Sequence, residues 1–203
     1  PNSWVYSGFG LISLIDLSFD KVIGRLTKNL LDGKENGIGT LEHDISELLR
    51  TPVSVSFVNL KGKRLVQGLS NEMKPLMMGK QESLSCEDML CSWIYDELID
   101  VGNDIAIPDV KGFAKKNASI FAQNLKKAGL KSYYVSQVNY RGERLGFLEI
   151  GSKQKGVLNK GKRLVIQEIV PILAVAGNRM MQEMENQVEA VIQAECTTIH
   201  PSV

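Results

Sequence analysis

The last third of the chain pairs a two-strand hairpin pattern with one long apolar-periodic helix, and no other feature constrains the fold as strongly. In the stretch KSYYVSQVNYRGERLGFLEIGS, two apolar-rich runs flank a turn at Tyr140, Arg141 and Gly142. A short Lys/Gly linker follows, and apolar positions at helical spacing then continue over residues 161–199. This order is typical of a small domain that a helix connects to another part of a longer protein.

Length and composition indicate one globular domain with flanking helices. The chain has 203 residues, of which 43% are hydrophobic and 23% are charged, and its formal net charge is +1. About 150 residues form one domain of ordinary size, and the remainder suits additional helices. Because so small a net charge gives no general attraction to nucleic acid or to an anionic membrane, neither is expected as a partner.

The cysteines and the chain ends predict a cytoplasmic fragment of a longer protein. Cys86, Cys91 and Cys196 are odd in number and unevenly spaced, which favours a reducing compartment over a disulfide framework. The apolar run over residues 5–15 is about 11 residues long, too short for a membrane-spanning helix, and it lacks the basic start of a signal peptide. Since the sequence begins with Pro1 rather than methionine, we expect further domains in the parent chain.

Periodicity and turn residues predict an α+β fold. Helical spacing of apolar residues predicts helices over 16–31, 40–51, 84–101, 114–128 and 161–199, with Thr40 as the N-cap of the second. Alternating patterns predict strands over 53–60, 64–69, 105–107, 131–139 and 143–151. We therefore expect an antiparallel sheet of five or six strands flanked by helices, with long N- and C-terminal helices.

Several of these pieces together resemble a GAF domain, a sensory and regulatory domain that binds small molecules. The matching features are Ile107, Pro108 and Asp109 at the third strand, Gly129 before the fourth, and the final hairpin with Gly146 followed by a helix. The resemblance covers roughly residues 41–181. It implies an N-terminal segment and helix over 1–39, a GAF-like domain over 40–180 and a helical signalling extension over 181–203.

Family members bind cyclic nucleotides, bilins, haem, amino acids or other small molecules between the sheet and the helices over one face, and many only dimerise. The Asn-Lys-Phe-Asp-Glu signature of the cyclic-nucleotide binders is not recognisable around Asn117 and Phe121. Phytochrome-type attachment uses a cysteine followed by histidine, whereas Ser92 follows Cys91. The resemblance therefore implies an unidentified small-molecule ligand, with no cofactor and no covalent bilin expected.

One branch of the family reduces free methionine sulfoxide with closely placed cysteines, and this remains the enzymatic alternative. Cys86 and Cys91 lie in the region that lines the pocket of that branch. A reactive thiol needs a lowered pKa, which Glu87 and Asp88 beside Cys86 would oppose. No metal site is expected, because the two cysteines would lie about 140° apart on a helix and the histidines are distant.

Six residues are candidates for lining a ligand pocket, although each also has a structural interpretation. Aromatic residues at these spacings either line a pocket or fill the core. Asp109 either accepts hydrogen bonds from a ligand or caps the next helix. One of Ser136 and Gln137 must face the helices. The lysines between positions 111 and 131 are most simply a solvated surface. The candidate pocket residues are Trp93, Asp109, Phe113, Phe121, Tyr134 and Ser136.

The terminal helix carries a second pattern that predicts a dimer. Met181, Met184, Val188 and Val191 are spaced three, four and three residues apart, which is a coiled-coil seam. About 38 residues at 1.5 Å each would span about 57 Å, more than one small domain covers. Pro171 is expected to kink the helix or to mark a fresh start. We predict a parallel homodimer in which the first helix joins a four-helix bundle; a solvent-exposed end helix is the alternative.

Together, these patterns predict a non-catalytic, cytoplasmic sensory or regulatory module that binds a small molecule and signals through a dimeric C-terminal helix. The alternatives are a thiol enzyme resembling free methionine sulfoxide reductase, and a purely structural dimerisation domain with a filled core.

Overall fold

An antiparallel β-sheet forms the centre of the protein. The computed structural model describes residues 17–31, 37–61, 64–70, 76–77, 83–85 and 90–198. The strands are β1 Ser54–Lys61, β2 Arg64–Ser70, β3 Ser83–Ser85, β4 Ile105–Ile107, β5 Ser132–Tyr140 and β6 Glu143–Ser152. Their order across the sheet is β3-β2-β1-β6-β5-β4. The four strands of seven to ten residues form its body, and three-residue strands lie at both edges.

Helices cover both faces of this sheet, which makes the fold α+β. They are α1 Leu17–Leu31, α2 Gly37–Leu49, α3 Ser92–Tyr95, α4 Val110–Lys116, α5 Ile120–Lys127 and α6 Arg163–Thr198. α3 continues directly into the π-helix Asp96–Val101, and a 3₁₀ turn, Lys160–Lys162, precedes α6. α1, α2 and α6 contribute to the core on one face, which we call the helix face. α3, the π-helix, α4 and α5 pack on the other, which we call the pocket face.

The helix face is held together by apolar packing and by one ion-pair cluster. Ile166 and Ile169 of α6 are fully buried against the sheet with Leu148 of β6. α1 packs on α2, where the Arg25 guanidinium lies 2.7 Å from the Asp44 carboxylate and 2.6 Å from the Glu47 carboxylate. These contacts raise the pKa of Arg25, so the cation is retained across the accessible pH range. The first helix is therefore part of the fold.

Two predicted helices differ from those in the structure. The pattern over 84–101 instead contains β3, because Leu84 pairs with Leu65 of β2, and the helix begins only at Ser92. The pattern over 114–128 is divided into α4 and α5, because Asn117 is extended and Ser119 caps α5 with its hydroxyl 3.2 Å from the Ala122 amide. Apolar spacing alone therefore missed the strand pairing in the first segment and the helix cap in the second.

The central hairpin follows its predicted turn and contains one close approach of two backbones. Arg141 and Gly142 both have positive φ, of 51° and 85°, and so form the turn between β5 and β6. Gly146 lies opposite Asn59 of β1, and a Cβ added there would lie 1.9 Å from the carbonyl oxygen of Val58. Only glycine allows β6 to pair with β1 at this point.

α6 is one helix whose two halves have different environments. Pro171 lies inside it without interrupting it, so the helix has no fresh start there. Leu173 is 4% exposed in the core, whereas Val188 and Val191 are 58% and 57% exposed. By length and composition alone, the stretch Lys160–Ala194 could cross a membrane, but its first half is the core helix of this domain. The second half extends beyond the sheet.

Candidate functional site

A carboxylate lies in the middle of the pocket face. Glu149 occupies the central strand β6 between Leu148 and Ile150 and is completely buried. Because side chains alternate along a strand, Glu149 points to the pocket face, as Phe147 does, whereas Leu148 and Ile150 point to the helix face. A charged side chain in this position is costly unless hydrogen bonds satisfy it.

Four donors surround this carboxylate, two at each oxygen. Oε1 accepts hydrogen bonds from the Tyr133 hydroxyl at 2.6 Å and the Met77 backbone amide at 3.0 Å. Oε2 accepts from the Ser56 hydroxyl at 2.9 Å and the Leu76 backbone amide at 3.0 Å. Each oxygen therefore receives one hydroxyl and one backbone N–H. The carboxylate holds the Leu76–Met77 backbone against β1, β5 and β6.

Burial and hydrogen bonding act in opposite directions on this group. Burial raises the pKa of Glu149, and the hydrogen bonds from Tyr133, Ser56 and the two backbone amides partly oppose that rise. Burial, together with the adjacent Glu149 carboxylate, raises the pKa of Tyr133 well above its ordinary value. The Tyr133 hydroxyl therefore remains a donor at neutral pH.

Aromatic side chains lead from the surface to this carboxylate. Trp93 makes an edge contact with Phe113 at a centroid distance of 6.1 Å, and Phe113 contacts Phe121 at 6.4 Å. Phe121 in turn meets Tyr133 at 5.4 Å. Trp93 is 42% exposed, whereas Phe121 and Tyr133 are buried. The structure thus brings Trp93, Phe113 and Phe121 together on the pocket face, as side chains packed edge to face against one another.

Two other predicted pocket residues lie on the opposite face of the sheet. The Tyr134 and Ser136 hydroxyls donate to Asp104 at 2.9 Å and 2.6 Å, and Arg163 of α6 lies 3.8 Å from the same carboxylate. Burial and the Asp104 carboxylate raise the pKa of Tyr134. The structure therefore does not bring all six candidate residues to one face of the sheet. Gln137 is the polar β5 residue on the pocket face, where its amide donates to the Leu98 carbonyl.

Asp109 caps a helix, which is one of the two roles that the sequence allowed for it. Its carboxylate accepts a hydrogen bond of 3.1 Å from the Gly112 amide in the first turn of α4 and lies 2.7 Å from the Lys155 ammonium. Lys155 and the Gly112 amide lower the pKa of Asp109. The carboxylate is thus committed to local contacts at the start of α4.

Of the two cysteines considered for catalysis, the structure describes the surroundings of Cys91. Cys91 is half-buried, packs against the pocket-face core and immediately precedes α3, where its carbonyl accepts the Ile94 and Tyr95 amides at 3.0 Å. Cys86 lies outside the described residues. Within the described part of the chain, no three His, Cys, Asp or Glu side chains are grouped to hold a metal ion.

Glu149 and Asp104 are the site residues that sequence reasoning missed. Glu149 interrupts the apolar run GFLEIGS, and a charge at the centre of a predicted core strand is a usable signal. Asp104 has no comparable signal, because it lies in a short polar stretch before β4. Its importance depends on Tyr134 and Ser136, which are 30 and 32 residues away in sequence.

Solved structures of GAF domains share this fold. The GAF domain of an Acinetobacter phosphoenolpyruvate-protein phosphotransferase superposes with a TM-score of 0.58 at 13% identity, over 83% of this chain and 98% of its own. The phycoerythrobilin-bound GAF domain of a cyanobacterial phytochrome gives 0.57 at 16% identity, over 84% and 100%. The free methionine-R-sulfoxide reductase of Neisseria meningitidis, in complex with its substrate, gives 0.56 at 14% identity, over 90% and 99%.

These similarities establish a GAF-like fold and confirm the resemblance seen in the sequence. No protein-family model matches the chain, and no curated protein is similar to it in sequence. At these identities the comparisons concern the fold, which sensory GAF domains and methionine sulfoxide reductases share.

Proposed function

We propose that this GAF-like protein is a non-catalytic, cytoplasmic regulatory module that dimerises through α6 and passes a small-molecule signal along that helix to another part of its parent chain. The observation that carries the proposal is the continuity of α6. Ile166 and Ile169 are buried in the domain core, and the same helix exposes Val188 and Val191 beyond it. A helix that is rigidly attached at one end transmits its own displacement to the other.

The exposed segment has the pattern of a pairing helix. Met181 is half-buried and packs against the helix-face core, and the segment from Gln182 to Ala194 then extends by about 20 Å at 1.5 Å per residue. Val188, Val191 and Ile192 are all more than half exposed, although each is a large apolar side chain. Pairing with a second copy would bury this surface, and apolar burial is worth about 25 cal/mol per Å².

The charges on this segment permit two copies to pair in parallel. With Met181 and Val188 at the first position of successive heptads, Glu183 and Glu189 fall on outer positions, away from the seam. Glu183 also accepts a hydrogen bond of 2.8 Å from Arg179 of its own helix. Up to Ala194, a symmetric pair therefore places no two glutamates opposite each other in the seam, and Glu195, at the next first position, marks where the seam ends.

Signalling requires that a ligand bind two dimer arrangements unequally. Small-molecule binding is part of this proposal because solved structures with the same fold hold phycoerythrobilin or a reductase substrate. In this protein, the packed aromatic side chains on the pocket face would have to move to admit such a ligand.

Native mass spectrometry of the full chain tests both parts of the proposal, since it reports oligomeric mass and any co-purified small molecule. We expect a dimer that the double substitution Val188→Glu and Val191→Glu converts to a monomer of unchanged far-UV circular dichroism. The matched control places two glutamates on the outer side of the same segment, at Asn186 and Gln193, and should remain dimeric. A monomeric wild-type chain, or a dimer that survives the Val188 and Val191 changes, would refute dimerisation through α6.

The thiol-enzyme alternative is favoured by one observation, the half-buried position of Cys91 at the edge of the pocket-face core. Reduction of free methionine sulfoxide that is lost in Cys86→Ser or Cys91→Ser would contradict the non-catalytic proposal. A dimer without any bound small molecule, inactive in that assay, would favour the purely structural dimerisation domain.

A further inference from the structure

A groove lies where α1 begins, α2 ends and α6 begins. It has a volume of about 350 Å³, at the lower end of the range of small-molecule sites. It is on the helix face and therefore separate from Glu149 and the aromatic side chains of the pocket face. Its lining residues are Phe19, Val22, Glu47, Leu48, Arg50, Lys162 and Val165.

Apolar side chains form about half of the groove wall. Val22 and Leu48 are 4% and 9% exposed and belong to the helix-face core. Phe19 and Val165 are partly buried and pack against the same core from α1 and α6. A hydrocarbon group that entered the groove would contact apolar side chains from all three helices, which would remove part of its surface from water.

The rim of the groove is cationic. Arg50 and Lys162 both line it, and the Lys162 ammonium donates a hydrogen bond of 2.8 Å to the carbonyl of Leu49. An ammonium has three donors, and this bond uses one of them. The acidic group at the rim, Glu47, accepts a hydrogen bond of 2.6 Å from Arg25, and Asp44 shares the same guanidinium. Together with Arg50 and Lys162 these groups are three cations and two anions, so the net charge at this rim is positive and favours an anion.

We propose that this groove binds a small amphiphilic carboxylate, with its hydrocarbon chain between α1, α2 and α6 and its carboxylate at Lys162. The proposal concerns a second site and does not depend on the function proposed above. A ligand here contacts the first turns of α6 directly, so its binding acts on the helix that extends from the domain.

Sodium octanoate is the probe, with octan-1-ol and sodium acetate as references that lack the charge and the chain, respectively. Backbone amide NMR shifts of the full chain give the affinity and the location of binding. Val165→Phe fills the groove, and Val175→Phe makes the same change at an exposed position of the same helix. Lys162→Gln removes the rim charge but retains a donor for Leu49, and Lys160→Gln is its exposed control.

We expect octanoate to shift amides of α1, α2 and the start of α6, with octanol binding about fivefold or more weakly and acetate not binding. Val165→Phe should weaken octanoate binding by at least about tenfold, and Lys162→Gln by about fivefold, while both controls bind like the wild type. Equal binding of octanol and octanoate, equal effects of the Val165 and Val175 changes, or no shift at millimolar octanoate would each overturn the proposal.

Discussion

Replacing Glu149 by glutamine tests whether this buried carboxylate holds the pocket face together. The two side chains have nearly the same shape, so the change alters hydrogen bonding and charge without opening a cavity. In the wild type, each oxygen accepts one hydroxyl and one backbone N–H. In Glu149→Gln, one of the oxygens becomes an NH₂ group and meets those donors with donors of its own.

The structure determines which contacts survive this substitution. A hydroxyl of Ser56 or Tyr133 can rotate and accept from the new amide, but the backbone N–H of Leu76 or Met77 cannot. One buried N–H is left without an acceptor, which costs about 1–3 kcal/mol, and the remaining bonds lose their charged acceptor. Relief from burying a charge offsets part of this loss. We expect a net destabilisation of about 2 kcal/mol near neutral pH.

Urea unfolding and thermal unfolding, each monitored by tryptophan fluorescence and circular dichroism, measure this change. A loss of about 2 kcal/mol lowers the melting temperature by about 4–8 °C in a domain of this size. Ser56→Ala is the matched control: it removes one of the four donors and leaves the carboxylate in place, and it should cost about 1 kcal/mol.

The pH dependence provides a second readout. Because burial raises the pKa of Glu149 in the folded state above its ordinary value of 4.5, the folded protein binds this proton more tightly than the unfolded chain. The contribution to stability is fully present below that ordinary value and is lost as pH rises through the folded pKa. Since glutamine does not titrate, the stability difference between wild type and Glu149→Gln should decrease over that interval.

Two results would refute this reasoning. A Glu149→Gln variant as stable as the wild type would mean that the four hydrogen bonds contribute nothing beyond what an amide provides. A difference that increases with pH would mean that the folded pKa is lowered, so that hydrogen bonding outweighs burial at this site.

Three further predictions concern the hairpin, the first helix and the helix face. Gly146→Ala should destabilise the fold by at least about 3 kcal/mol, because its Cβ would lie 1.9 Å from the Val58 carbonyl oxygen. Gly24 is a helical position with open space around it, so Gly24→Ala should instead stabilise the fold by about 0.5–1 kcal/mol. The same thermal unfolding assay measures both changes. A destabilising Gly24→Ala or a neutral Gly146→Ala would contradict these assignments. Asp104→Asn should lower the raised pKa of Tyr134, because it removes the adjacent carboxylate. An alkaline titration that follows phenolate absorbance should then show one more tyrosine ionising at lower pH in the variant than in the wild type. Identical titration curves for the two proteins would contradict this prediction.

Local patterns in the sequence predicted most of the secondary structure. The turn at Arg141 and Gly142, the strands on either side of it, the first helix and the long last helix are all found close to their expected positions. Each depends on periodicity or on turn chemistry within a few residues. The GAF-like fold was recognisable for the same reason, since it follows from the order of these elements.

Residue positions across elements were harder to predict. Tyr134 and Ser136 were expected beside Phe121, but the pairing of β5 with its neighbours turns them to the helix face and turns Tyr133 and Gln137 to the pocket face. A shift of one residue reverses the face of every side chain in a strand. Periodicity gives the alternation of the two faces, but not which of them meets which helices.

Neighbouring residues were enough to predict the α+β class, the hairpin turn and a final helix longer than its domain, whereas they left the role of Asp109 open between a helix cap and a ligand contact. Only the tertiary structure decided the environment of Glu149, whose donors at Ser56, Leu76 and Met77 lie 93, 73 and 72 positions away. The same holds for the groove between α1, α2 and α6. Hydrogen bonds and packing between distant segments depend on how the elements are placed in space, which short-range periodicity does not encode.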